Sequence, residues 1–90
     1  MRTVEGLKLR TLIGEQIIVA DGPKMVNFNK IIMLNETAAF LWNEMVRLGE
    51  CTNEDLVKSL LDEYEVDEAT ATESVASTVN QWKEIGIIED

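Results

Sequence analysis

Few residues in this 90-residue sequence could do acid–base, nucleophilic or metal chemistry, and none is well spaced for it. The densest acidic run is "DEYEVDE", residues 62–68. Two carboxylates can share acid and base roles when they face one another across a site. Glu63 and Glu65 flank Tyr64 and Asp62 lies beside them, and such near neighbours on a helix do not share a face. The run reads as a solvated surface. A calcium loop would need regularly spaced oxygens around a central glycine, which this run lacks. Cys51 precedes a helix start, where a thiol can be acidified. With no histidine in the chain, the usual general base is missing, and so are a Cys-His or Ser-His nucleophile and a Cys-His zinc site. Cys51, the one cysteine, therefore reads as a small helix-start residue, and it can form no internal disulfide. The expectation is a protein that is not an enzyme, with no metal and no cofactor.

Bulk properties narrow the class. The length suits one small domain covering residues 1–90, and such a chain buries only about 60 % of its unfolded surface. An apolar content of 46 % excludes a disordered tail. No apolar run approaches the roughly 18 to 20 residues that cross a bilayer, and no secretion signal is recognisable, so a cytoplasmic location is expected. Eight basic residues against 17 acidic ones give a net charge of −9. Duplex DNA and anionic membranes are both disfavoured partners, because both are bound through Lys and Arg. The surface suits a protein or peptide partner of neutral or basic character.

The elements that would position a site follow from periodicity. "LKLRTLI" (7–13) alternates, "GE" (14–15) signals a turn, and "QIIVA" (16–20) reads as a return strand, with Gly14 at positive φ. "DGPK" (21–24) is a turn, and "MVNFNK" (25–30) a loop with room for one short extended piece. "IIMLN" (31–35) is a third strand. The period then changes. Asn35 caps a helix whose apolar face is Ala38, Leu41, Trp42, Met45 and Val46, ending at Gly49. "TNED" (52–55) forms a capping box with Asp55 in the usual Glu position, and Leu56, Leu60 and Tyr64 line a second helix beside Val57 and Leu61. Asp67 caps a third, in which Ala71, Val75, Val79, Trp82 and Ile85 recur at four, four, three and three, up to Gly86. "IIED" is a short extended tail. Trp42 and Trp82 lie on apolar stripes and are expected in the core. Strands first and helices after predict an α+β fold, with three helices on one face of a small antiparallel sheet.

Three short helices also suggest a helix-turn-helix, hence a winged-helix DNA-binding or regulatory protein as the alternative. A recognition helix presents Arg, Lys, Asn or Gln to base edges, and the third helix has only Lys83 as a base. The edge of the third strand offers something else. Free N–H and C=O groups there can accept an incoming peptide as a further strand, or pair with a second copy as a homodimer. Small residues Ala69, Thr72, Ala76 and Ser77 on the third helix would leave room for a partner.

At this point a resemblance becomes visible. "IIMLNETAAFLWNEM", with "EDLVKSLLDEYEVDEATATESVASTVNQWKEIGII" after it, resembles the coenzyme PQQ synthesis protein D (PqqD) family. The matching pieces are Leu34 to Thr37, Leu56 to Leu60, Tyr64 to Asp67, and Gly86 to Ile88, in order over about residues 7–90. The resemblance implies a winged-helix-like domain, an N-terminal three-stranded antiparallel sheet followed by three helices, known as the RiPP recognition element. It implies a non-catalytic adaptor. Such domains bind the leader of a ribosomally made precursor peptide and present it to a modifying enzyme, often a radical SAM protein. The leader adds alongside the third strand and packs on the third helix. Carried over, the backbone of Ile31, Ile32, Met33 and Leu34 would pair with the leader. Thr72, Val75, Ala76 and Val79 would line its groove, with Asn80 and Lys83 at the rim and Lys83 set to meet an acidic leader side chain. Ile31 and Met33 would face one side of the strand and Ile32 and Leu34 the other, with both sides covered. Two departures, Met33 where PQQ-pathway members often carry a base and the low arginine content, point to a PqqD-like protein of another peptide pathway.

Overall fold

The computed structural model describes residues 1–20 and 32–90. The expected turn over 21–24, the 25–30 stretch and Ile31 lie outside the described residues. In chain order the elements are β1 (Arg2–Thr3), β2 (Leu7–Leu12), β3 (Glu15–Ala20), β4 (Ile32–Leu34), α1 (Glu36–Leu48), α2 (Asn53–Glu63), α3 (Glu68–Ile85) and β5 (Ile88–Glu89). The fold is α+β, as expected: a three-stranded antiparallel sheet in the order β2-β3-β4, then three helices.

Alternation dictates which side of the sheet is covered. Leu9, Ile18 and Ile32 stand side by side across the three strands, as do Arg10, Ile17 and Met33 on the opposite face. Leu7, Ile18 and Leu34 belong to one core with the helices. Met33, on the far face, is 63 % exposed. The expectation that both sides of the third strand are covered is therefore corrected: the helices cover the Ile32 and Leu34 side, and Met33 faces solvent. β2 and β3 join through the two-residue loop Ile13–Gly14, with φ of 50° and 78°. Gly14 takes the positive φ expected of it. Ile13 leaves the strand because a two-residue turn that follows the twist of the strands needs positive φ at both positions.

Each helix starts where its cap residue stands. Asn35 Oδ1 accepts from the Ala38 N–H at 2.8 Å, and Asp67 Oδ1 from the Thr70 N–H at 2.7 Å. Thr52 Oγ1 accepts from the Asp55 N–H at 3.2 Å, and the Asp55 carboxylate accepts from the Thr52 N–H at 2.9 Å, which completes the capping box. Gly49 and Gly86 close α1 and α3 with positive φ. The two indoles meet edge-to-face with centroids 5.6 Å apart, which locks α1 against α3. Phe40 and Tyr64 make a second such pair at 5.5 Å, tying α1 to the end of α2. The buried face of α1 is Ala39, Leu41, Trp42 and Met45. Val46, expected on it, is exposed and Ala38 is half-buried. Val46 shares a side with buried Ala39, about 20° away, so that side of α1 is covered near its start and open toward its end.

β1 is not apparent from the sequence pattern. It pairs with β5 as a separate two-stranded sheet, Arg2 opposite Glu89 and Thr3 opposite Ile88. The extended tail thus acquires a partner, and Ile87 and Ile88 are buried beneath it.

Candidate peptide-binding site

Asn35 ends β4 and begins α1 in one step. Among the described residues it pairs only with β3, so its other edge is open. That edge forms one wall of a groove of about 640 Å³, and α3 forms the other. Ile32, Met33 and Leu34 supply the strand wall, continued by Asn35, Thr37 and Ala38 at the start of α1. The helical wall is Thr70, Glu73, Ser74, Ser77, Thr78 and Gln81, with Trp82 and Ile85 at its far end. These positions recur at three and four, one face of a helix. Hydroxyl and amide groups dominate that face, so the site can hydrogen-bond a polar chain. Trp82 and Ile85 give it one apolar end. Thr70, Glu73, Ser77 and Gln81 are exposed, so the groove opens to solvent along its length and admits an extended segment.

Of the expected site residues, Ile32, Met33 and Leu34 come together at this groove, and Ile31 lies outside the described residues. The α3 residues fall elsewhere. Val75 and Val79 are 0 % and 2 % exposed and belong to the core. Thr72, Ala76 and Lys83 lie on the flank beyond that core stripe, roughly half a turn around α3 from the middle of the groove at about 100° per residue. Asn80 lies nearer, about 20° from Glu73 but outside the groove lining. Lys83 Nζ is 3.3 Å from the Asp90 carboxylate. Periodicity reveals the core stripe of α3, but not which of its two small, polar flanks meets the sheet. Of Thr70, Ser74, Ser77 and Thr78, the small polar residues that mark this flank, Ser77 alone is among those expected to leave room for a partner.

The electrostatics of the groove are simple. Among the described residues, Glu73 is the one charged side chain that lines it. Among the described residues no group of three His, Cys, Asp or Glu side chains could hold a metal ion. Cys51 is buried, and desolvation pushes its thiol pKa up, against the lowering effect of the N-terminal ammonium and with help from Asp55 and Glu50. The net shift is upward, opposite to the acidification that a helix start can bring.

With this geometry, comparison with known proteins is informative. The family model for coenzyme PQQ synthesis protein D (PqqD) matches residues 15–88, most of the chain. The chain belongs to the PqqD family. Two solved structures share this fold. TbiB1 in complex with the TbiA(beta) leader peptide superposes with a TM-score of 0.77 at 15 % identity, covering 99 % of this chain and 95 % of that one. Lasso peptide synthetase B1 complexed with the leader peptide gives 0.72 at 22 % identity, covering 99 % and 96 %. No curated protein gives a significant sequence match. No helix among the described residues is long and apolar enough to cross a membrane.

Proposed function

We propose that this PqqD-family chain is a non-catalytic recognition domain, which binds the leader of a ribosomally made precursor peptide and presents it to a modifying enzyme such as a radical SAM protein. The observation that carries the reading is the open edge of β4 facing the groove on α3. Both structural neighbours were solved with a leader peptide bound, which supports the same reading. The leader would add to the sheet through the backbone of Ile32, Met33 and Leu34, and through Ile31 before them. Backbone pairing supplies affinity and the side chains of the groove supply selectivity. Nothing favours the DNA-binding alternative. Lys83 is the only base on α3, and it is engaged by Asp90.

A pair of prolines tests the mechanism. Successive N–H groups of a strand point to opposite edges, so of Ile32 and Met33 one faces β3 and the other faces the open edge. Proline at the first destabilises the sheet, and at the second is tolerated as on any edge strand. The probes are peptides selected from a random phage-displayed library on the purified chain. The expected outcome is that one of Ile32→Pro and Met33→Pro keeps the parent melting temperature and loses those peptides. Unchanged affinity in that variant rules out strand addition. N-methylation of alternate amides in a selected peptide reads the same ladder from the other side.

A further inference from the structure

We propose that the groove selects leaders with a basic side chain seated against Glu73 and an apolar side chain, on the same face of the bound strand, seated at the Trp82–Ile85 end. This rests on the groove being the peptide site and adds the chemistry of the peptide. Glu73 is exposed, lines the groove, and has no hydrogen bond or ion pair among the described residues. Several other acids are engaged: Glu44 by Arg47, Glu50 and Glu89 by Arg2, Asp90 by Lys83, and Asp55 and Asp67 as caps. Glu54, Asp62, Glu65, Glu68 and Glu84 make no such contact among the described residues either. What sets Glu73 apart is that it alone of these acids lines the groove. A Lys or Arg at Glu73 would also find the hydroxyls of Thr70, Ser74 and Ser77 within the same wall. An acidic side chain finds no base on the groove among the described residues, and Lys83 lies on the other flank. The chain's net charge of −9 adds long-range attraction for a cationic segment and repulsion for an anionic one.

The spacing follows from helix and strand geometry. Glu73 and Ile85 are twelve residues apart on α3, about 18 Å at the helical rise. A strand lying along the helix covers that in about five or six residues at roughly 3.3 Å each. Side chains on one face repeat every second residue, so the basic and apolar positions fall four or six apart.

The test uses the same random library, panned in parallel on the parent, Glu73→Gln and Glu73→Lys. Glu73 is an exposed mid-helix position and both replacements are good helix formers, so folding is retained. The expected result is a Lys or Arg preference at one position of the parent-selected peptides, four or six residues from an apolar one. The Glu73→Lys pool should prefer Asp or Glu at that position. A parent-selected peptide should bind about threefold to tenfold more weakly to Glu73→Gln in fluorescence anisotropy, and more weakly still to Glu73→Lys. A basic bias shared by both pools would reflect general attraction to an acidic surface, since Glu73→Lys leaves the chain strongly acidic, and would overturn the inference. So would equal affinities across the three proteins. In either case, loss of the selected peptides in the fold-intact proline variant would leave the groove reading standing. Selected peptides that ignore both Glu73 and the strand edge, or no selected peptides at all, would overturn both.

Discussion

At the scale of single residues, Ile13 stands out. It is β-branched, has φ of 50°, and is 96 % exposed, so its side chain gains nothing from burial to offset the strained backbone. Left-handed backbone costs such a residue roughly 1–2 kcal/mol, whereas Asn followed by Gly is the favoured pair for a two-residue hairpin loop. Ile13→Asn, which places Asn before Gly14, is expected to stabilise the chain by about 1 kcal/mol in urea unfolding. Lower stability would mean that Ile13 makes contacts the exposed turn does not suggest. Asp67 is a second residue-level case. Its carboxyl pKa lies below the ordinary 3.8 because the Thr70 backbone N–H, and then the Thr70 side chain, hydrogen-bond the ionised form. A depressed pKa contributes stability that is fully present above the unfolded value and is lost as pH falls through the folded one. Asn caps nearly as well and does not titrate. Asp67→Asn should therefore melt close to the parent at neutral pH and lose less stability than the parent below pH 3.8. Parallel acid profiles would show that the cap hydrogen bond does not depend on charge.

At the scale of elements, the junction of β4 and α1 is what makes the groove possible. One residue, Asn35, ends the strand and caps the helix, so the strand edge and the start of α1 form a continuous wall. Asn35→Ala leaves the Ala38 N–H without its partner and should cost about 1 kcal/mol in urea unfolding, with Asn35→Ser recovering most of it. A loss confined to peptide binding, with stability unchanged, would show that the cap positions the wall without supporting the helix. The same junction explains what was legible in the sequence. Asn35, Thr52 and Asp67 were readable as caps because a cap oxygen and the N–H that donates to it are three residues apart. The stripe from Ala71 to Trp82 was readable because burial imposes the helical period. β1 was not, since two residues carry no period and its partner, Ile88, comes from the other end of the chain. The groove face of α3 was not either. Two flanks of similar composition border the core stripe, and only the position of β4 distinguishes them. Val46 escaped for a different reason: it fits the period of α1 and shares a side with buried Ala39, but toward the end of the helix that side is not covered.

At the scale of the whole molecule, charge dominates. A net charge of −9 is spread over a body of 40 × 31 × 21 Å. At about 0.01 M salt the screening length is roughly 30 Å, so nearly every acidic group repels every other. At about 0.1 M it is roughly 10 Å, and only neighbours interact. Compact folding gathers these charges, so screening should stabilise the fold, and the urea midpoint should rise across this range. Peptide binding should respond the other way. If Glu73 draws a basic side chain into the groove while the remaining acids supply a long-range field, salt weakens both effects, and affinity for a parent-selected peptide should fall as stability rises. The opposite signs matter because a trivial cause, such as partial unfolding at low salt, would move both quantities in one direction. Repeating the titration with Glu73→Gln separates the two contributions: the field of the remaining acids survives in this variant, so its salt slope should be shallower than the parent's but not flat. A slope unchanged by the substitution would assign the salt dependence to the acidic surface as a whole and leave Glu73 without a role in choosing the peptide.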